Sequence, residues 1–188
     1  MTFTPCTVVG EACTKVVFNS TELTEVPANI QFASSIPVEL TGVWKYTKVD
    51  KNFKGVSTLS VASTATIQLL STIGVKTGSE KPSFINNGTA TVAGITYLQD
   101  LAMVNNGTIT IPADAEFRVK STLVNEATSL KAYGKILNSG VLATVNGDGT
   151  SVYINNYGYI KQVASTAKTY ITGNQTTTAN FASAFSSS

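Results

Sequence analysis

The chain has 188 residues, 13 of them basic and 11 acidic, with a net charge of +2 and no histidine. Charged residues make up 13%, about half the roughly 25% share of an ordinary globular protein. The missing imidazole removes Ser-His-Asp and Cys-His catalysis, and the small net charge argues against a nucleic-acid partner.

Thr, Ser, Asn and Gly stand where Lys and Glu usually cover a surface, which suits an extended β protein. No apolar run approaches the roughly 20 residues of a membrane span. Met1-Thr2-Phe3-Thr4-Pro5-Cys6 has neither the basic nor the apolar region of a signal peptide. An exterior type of surface without a secretion signal is the combination expected of virion proteins. Cys6 and Cys13 leave two readings open, a disulfide (within a hairpin or between subunits) and two unpaired thiols. A metal site is not expected from two thiols without CxxC spacing.

Residues 1–75 read as an N-terminal β region that serves attachment and assembly. Its candidate strands are 7–9, 14–18, 29–33, 37–47 and 56–70, punctuated by Pro27 and Pro37, with bends or bulges at Gly42 and Gly55. Within it, 57–67 alternates as one half-buried strand, with Leu59, Val61, Ala65 and Ile67 on the core side. Lys45, Lys48, Lys51 and Lys54 surround Asp50. They read as a solvated strand edge and turn, with a polyanion patch as the alternative. The polar segment 76–82 marks a boundary, and a repeat region of 76–165 follows.

In that region Ile85-Asn86-Asn87-Gly88-Thr89 returns nineteen residues later as Val104-Asn105-Asn106-Gly107-Thr108. Weaker echoes are Leu137-Asn138-Ser139-Gly140-Val141 and Ile154-Asn155-Asn156-Tyr157-Gly158, and Val124-Asn125 is a degraded copy. Asn-Gly is a strong turn signal because both residues tolerate positive φ. The structural corners are therefore read at Asn86, Gly88, Asn105, Gly107, Asn138, Gly140, Asn155 and Gly158. Nineteen residues at about 3.3 Å each trace roughly 63 Å, a triangle with sides of about 20 Å. The segment before Asn86 is a poor hairpin partner for the one after it. The expected fold is all-β, a parallel β-solenoid-like C-terminal region behind a shorter N-terminal β region, with a β-sandwich or jelly roll as the alternative. Residues 83–163 resemble the parallel β-helix families in these corners, the loose period and the Thr/Val/Ile-rich coils. The resemblance extends to phage fibre or spike proteins and other surface-assembly subunits. By the corner spacing, the span from Asn86 to Asn155 would hold four or five coils stacked about 4.8 Å apart.

Little points to chemistry. Asp114, Glu116, Arg118 and Lys120 alternate with Ala115, Phe117 and Val119, as expected of an exposed, charge-paired strand face; a catalytic groove is the alternative. Asn146-Gly147-Asp148-Gly149 reads as a turn, with too few carboxylates for calcium. Tyr153, Tyr157 and Tyr159, flanked by Asn155 and Asn156, either cap the end of the solenoid or contact a ligand such as a sugar ring. Residues 166–188 form a C-terminal tail, frayed or docked through Phe181 and Phe185.

The expectation is a non-enzymatic structural and adhesive subunit of a virion (phage fibre, spike or capsid-surface protein), located on the virion or an extracellular surface. Its partners would be copies of itself, other virion or surface proteins and a cell-surface glycan, with no cofactor. An extracellular filament or surface-layer subunit is one alternative. A polysaccharide-binding or polysaccharide-degrading β-helix, using Asp114, Glu116 and Arg118, is another.

Overall fold

The computed structural model describes residues 2–4, 14–129, 132–145 and 152–170. Sixteen strands belong to one sheet that winds around itself. Its pairings are parallel, apart from a three-residue antiparallel contact of Thr2–Thr4 along the first coil. The parallel β-solenoid expected from the corners is the fold, with three faces to each coil.

Inter-coil register gives the count of coils. On the first face, Val16, Val38, Leu59, Phe84, Met103, Leu123 and Ile154 stack one above the next, so the described residues trace seven coils. On the second face the stack is Trp44, Ile67, Ala90, Ile109, Ile136 and Ile160. On the third, Ile30 pairs with Phe53 in the first two coils, and Leu98, Val119 and Thr144 stack in later ones. These columns form the core, nearly all of it fully buried. Alternation explains this: every second side chain of each short strand points inward.

The N-terminal half follows the same path as the repeat region. Val38 to Gly42 lies on the first face and Val43 to Tyr46 on the second, within one bent strand, Asn29–Tyr46. Segment 76–82, read as a boundary, is the corner of the third coil. Strands on either side of it pair directly, Leu59 with Phe84 and Ile67 with Ala90. The single strand expected over 57–67 is two strands, Asn52–Val61 and Thr66–Ile73, with Ala65 N–H donating to Ala62 O around the corner. Leu59, Val61, Ala65 and Ile67 are nonetheless all buried. The interior of a solenoid is the inside of both faces, so alternation runs on through the bend.

The Asn-Gly corners are real, but positive φ is not their reason. Left-handed glycines occur elsewhere, at Gly42, Gly55, Gly78 and Gly94. Gly42 and Gly55 sit at register shifts between coils, as expected of bends or bulges. At Gly107 the constraint is space, because a Cβ there would lie 2.1 Å from the carbonyl oxygen of Gly88 in the coil below. Gly140 meets the same constraint at the next corner, 2.1 Å from Ala115 O. No helix of the described residues is long and apolar enough to cross a membrane.

Candidate functional site

A column of amides runs inside the corner between the first and second faces. Asn86, Asn105, Asn125 and Asn156 occupy equivalent positions in the last four coils. All four are buried. Asn86 Nδ2 donates to Asn105 Oδ1 (2.8 Å), Asn105 Nδ2 to Asn125 Oδ1 (2.7 Å) and Asn125 Nδ2 to Asn156 Oδ1 (2.7 Å). The second hydrogen of each of these three donating Nδ2 groups reaches a backbone carbonyl of the neighbouring corner, Thr108 O from Asn86, Lys135 O from Asn105 and Tyr159 O from Asn125. The ladder therefore has one direction, and its ends are unsatisfied at Asn86 Oδ1 and Asn156 Nδ2. Below Asn86 stands Val61, which offers no donor.

Two corners read from sequence lie elsewhere. Asn138 stands between the second and third faces, where its Nδ2 donates to Lys168 O at 2.9 Å. Asn155 faces outward, in register with Val124, and Asn156 takes the inward place. Asn156 is thus a core residue and unavailable to a ligand. Asn125, which looked like a degraded copy, is a full member of the column. The insertion behind it shifts the spacing and hides the equivalence.

The tyrosines gather at the same corner, on its outside. Tyr157 is 51% exposed at the bend of the seventh coil. Tyr159 follows on the second face, its ring meeting Tyr133 edge-on at 6.5 Å between centroids. Tyr133 belongs to the excursion 126–134 of the sixth coil, closed where Gly134 N–H donates to Glu126 O. Lys135 Nζ lies 5.6 Å from the Tyr133 ring centre. Sequence reasoning missed Tyr133 because its segment carries no period. Tyr153 opens its strand in register with Thr122, and its side chain lies outside the described part of the structure.

The charged strand lies on the third face with Ala115, Phe117 and Val119 buried and the charges outside. Arg118 donates to Glu116 Oε2 from Nε (2.8 Å) and Nη2 (2.5 Å), and to Tyr97 Oη from Nη1 (2.7 Å). These bonds, that to Glu116 foremost, raise the already high guanidinium pKa. Lys120 lies 4.8 Å from the Tyr97 ring centre. Asp114 stays exposed at the strand's approach. The four lysines do not form one patch: Lys48 and Lys54 are exposed, whereas Lys51 is 2% exposed and bonded to Glu25 Oε1 at 2.5 Å. A groove of about 590 Å³ near the end of the third face is lined by Asn29, Asp50, Asn52, Thr77, Gln99 and Asp100, among others. Among the described residues no group of three or more Asp, Glu, Cys or His is placed to hold a metal.

No protein-family model, curated protein or solved structure matches the chain. Function has to be read from these surfaces. Cys6, Cys13, residues 146–149, Phe181 and Phe185 lie outside the described residues.

Proposed function

We propose that the protein is a structural and adhesive subunit, without catalysis of its own, that assembles with copies of itself into a projecting body such as a virion fibre or spike. The observation that carries this reading is an outward stripe on the first face. Ile85, Val104 and Val124 stack in register on three consecutive coils, side chains outward and partly exposed. Aligned β-branched side chains on a flat, rigid face are a self-complementary surface, which a symmetric contact can use on every copy. The hydroxyl- and amide-rich surface and the low charge support a place on a virion or extracellular surface. Sedimentation velocity tests it. The wild-type chain should sediment as an oligomer, and Val104→Lys should shift it to monomer with an unchanged far-UV spectrum. A monomeric wild type across the micromolar range overturns the reading.

The tyrosine corner favours a cell-surface glycan as the adhesive partner, because Tyr133, Tyr157 and Tyr159 offer half-exposed rings beside Lys135. A glycan array should give signal that Tyr157→Ala with Tyr159→Ala removes. Signal that persists in the double variant places the sugar elsewhere.

A further inference from the structure

We propose that the groove near the end of the third face binds a neutral saccharide, at a site separate from the tyrosine corner. Residues of four successive coils build it. Asn29 and Asn52 lie in register on the first two. Their neighbours Ile30 and Phe53 turn into the core, so both amides project outward. The third coil makes a detour after its bridge from Val75 to Lys51. Ser79 N–H donates to Lys76 O there, and Glu80 N–H returns to Phe53 O. That detour carries Lys76 and Thr77 along the groove, and Asp50, Gln99 and Asp100 line the rest.

The polar groups that converge here are available. Among the described residues, the side chains of Asn29, Asp50, Asn52, Lys76 and Thr77 make no hydrogen bond or ion pair. The other polar clusters are closed on themselves, Glu25 with Lys51 and Thr47, and Arg118 with Glu116 and Tyr97. Asp100 is oriented by its neighbours: Gln99 Nε2 donates to Oδ2 at 3.3 Å, and Lys81 Nζ lies 3.6 Å from Oδ1.

This set of groups selects the ligand. Amides, a hydroxyl and an ammonium donate, while carboxylate and amide oxygens accept, so the partner has to do both at closely spaced atoms. Asp50 and Asp100 are offset by Lys76 and Lys81, which leaves little net charge to hold a polyanion or a polycation. Val75, 4% exposed, and Val49, 38% exposed, supply an apolar floor. A pyranose ring answers each condition. Its vicinal hydroxyls donate and accept, it is uncharged, and its C–H face can cover the two valines. The volume of about 590 Å³ lies within the roughly 300–1,000 Å³ of small-ligand sites. The proposal does not rest on assembly. Two weak contacts on one rigid body would raise avidity for a polymeric glycan.

The test is a titration of the full chain with neutral oligosaccharides and, as matched probes, uronic-acid oligosaccharides, read by NMR chemical shifts and calorimetry. At least one neutral probe should bind. Asp50→Ala and Asn52→Ala should each weaken it by roughly tenfold or more, about 1.4 kcal/mol. Added salt should leave the affinity unchanged, because a neutral ligand has no charge to screen. Tyr157→Ala with Tyr159→Ala should keep this binding, with circular dichroism confirming that all variants fold. A wild type that binds no neutral probe overturns the proposal. So does binding undiminished in both groove variants, or a salt-sensitive preference for the uronates. Loss in the tyrosine variant alone moves the sugar to that corner and also overturns it. Sedimentation of the wild type decides the assembly reading separately, so either can fail without the other.

Discussion

The first three coils and the last four solve the same packing problem with different chemistry. At the position inside the first corner, the early coils place Phe18, Leu40 and Val61, and the later ones Asn86, Asn105, Asn125 and Asn156. The early coils keep register by bulky packing and tolerate irregularity. Their strands are long, shift register at Gly42 and Gly55, and bury a charge at Lys51. Most strands of the later coils are three or four residues long, with Thr89–Leu98 the exception, and a directed amide ladder clamps each corner to the next. An apolar column is forgiving because it has no direction. An amide column is not, because each member completes its neighbour.

The amide column should therefore be most sensitive in its middle. Asn105→Leu orphans Asn125 Oδ1 and removes the donor to Lys135 O, each a loss of about 1–3 kcal/mol. A total near 3 kcal/mol is expected in urea unfolding. Asn86→Leu likewise removes the donors to Asn105 Oδ1 and Thr108 O, but its own oxygen is already unsatisfied, so no donor below it is orphaned and it should cost about 1 kcal/mol less. Equal costs would break the contrast between directed and undirected columns.

Gly107→Ala tests the corner. Its methyl group meets backbone rather than a flexible side chain, so the coils must part, at a cost of about 2–3 kcal/mol. A thermal midpoint equal to wild type would show that the corners have slack. In the early coils, Glu25→Gln should cost about 2 kcal/mol. Glu25 accepts from Lys51 and from Thr47 N and Oγ1, and its loss leaves a buried ammonium uncompensated. The figure stays below that of a fully buried pair because Glu25 is 33% exposed. Adding Lys51→Met should restore most of the loss; a double variant as weak as the single one would rule out the buried charge as its cause.

The smallest effect expected is at Tyr46, buried in the second coil and donating its hydroxyl to Gly74 O. Burial, then the charges of Glu25 and Asp50, push its pKa far above the usual phenol value. The folded pKa exceeds the unfolded one, so this contribution is complete below about pH 10 and declines as pH rises further. Tyr46→Phe should cost about 1 kcal/mol at neutral pH through the lost hydrogen bond. It should also flatten the alkaline decline in the urea midpoint. An unchanged alkaline slope would assign that decline to other groups.

Much of this architecture is legible in the chain. The Asn-Asn-Gly phrase at 86–88 and 105–107 marks the same corner in successive coils, and alternation from Ala115 to Val119 sorts core from surface. The candidate site was legible only in pieces. Tyr157 and Tyr159 stand out in sequence, whereas Tyr133 joins them through an excursion without period. Lys51 looks like one of four solvated lysines, and only packing beneath Tyr46 and beside Glu25 sets it apart.

Local chemistry thus determined that the backbone turns at amide-glycine corners, that alternate residues enter a core, and that the surface is hydroxylated and nearly neutral. Each of these depends on a few neighbouring residues. Which asparagines share a column was decided by tertiary structure alone. Coils differ in length, so Asn125 and Asn156 reach the ladder while Asn138 serves another corner and Asn155 faces solvent. Register between coils is set by packing and hydrogen bonds accumulated along the whole stack, and no short stretch of sequence carries that sum.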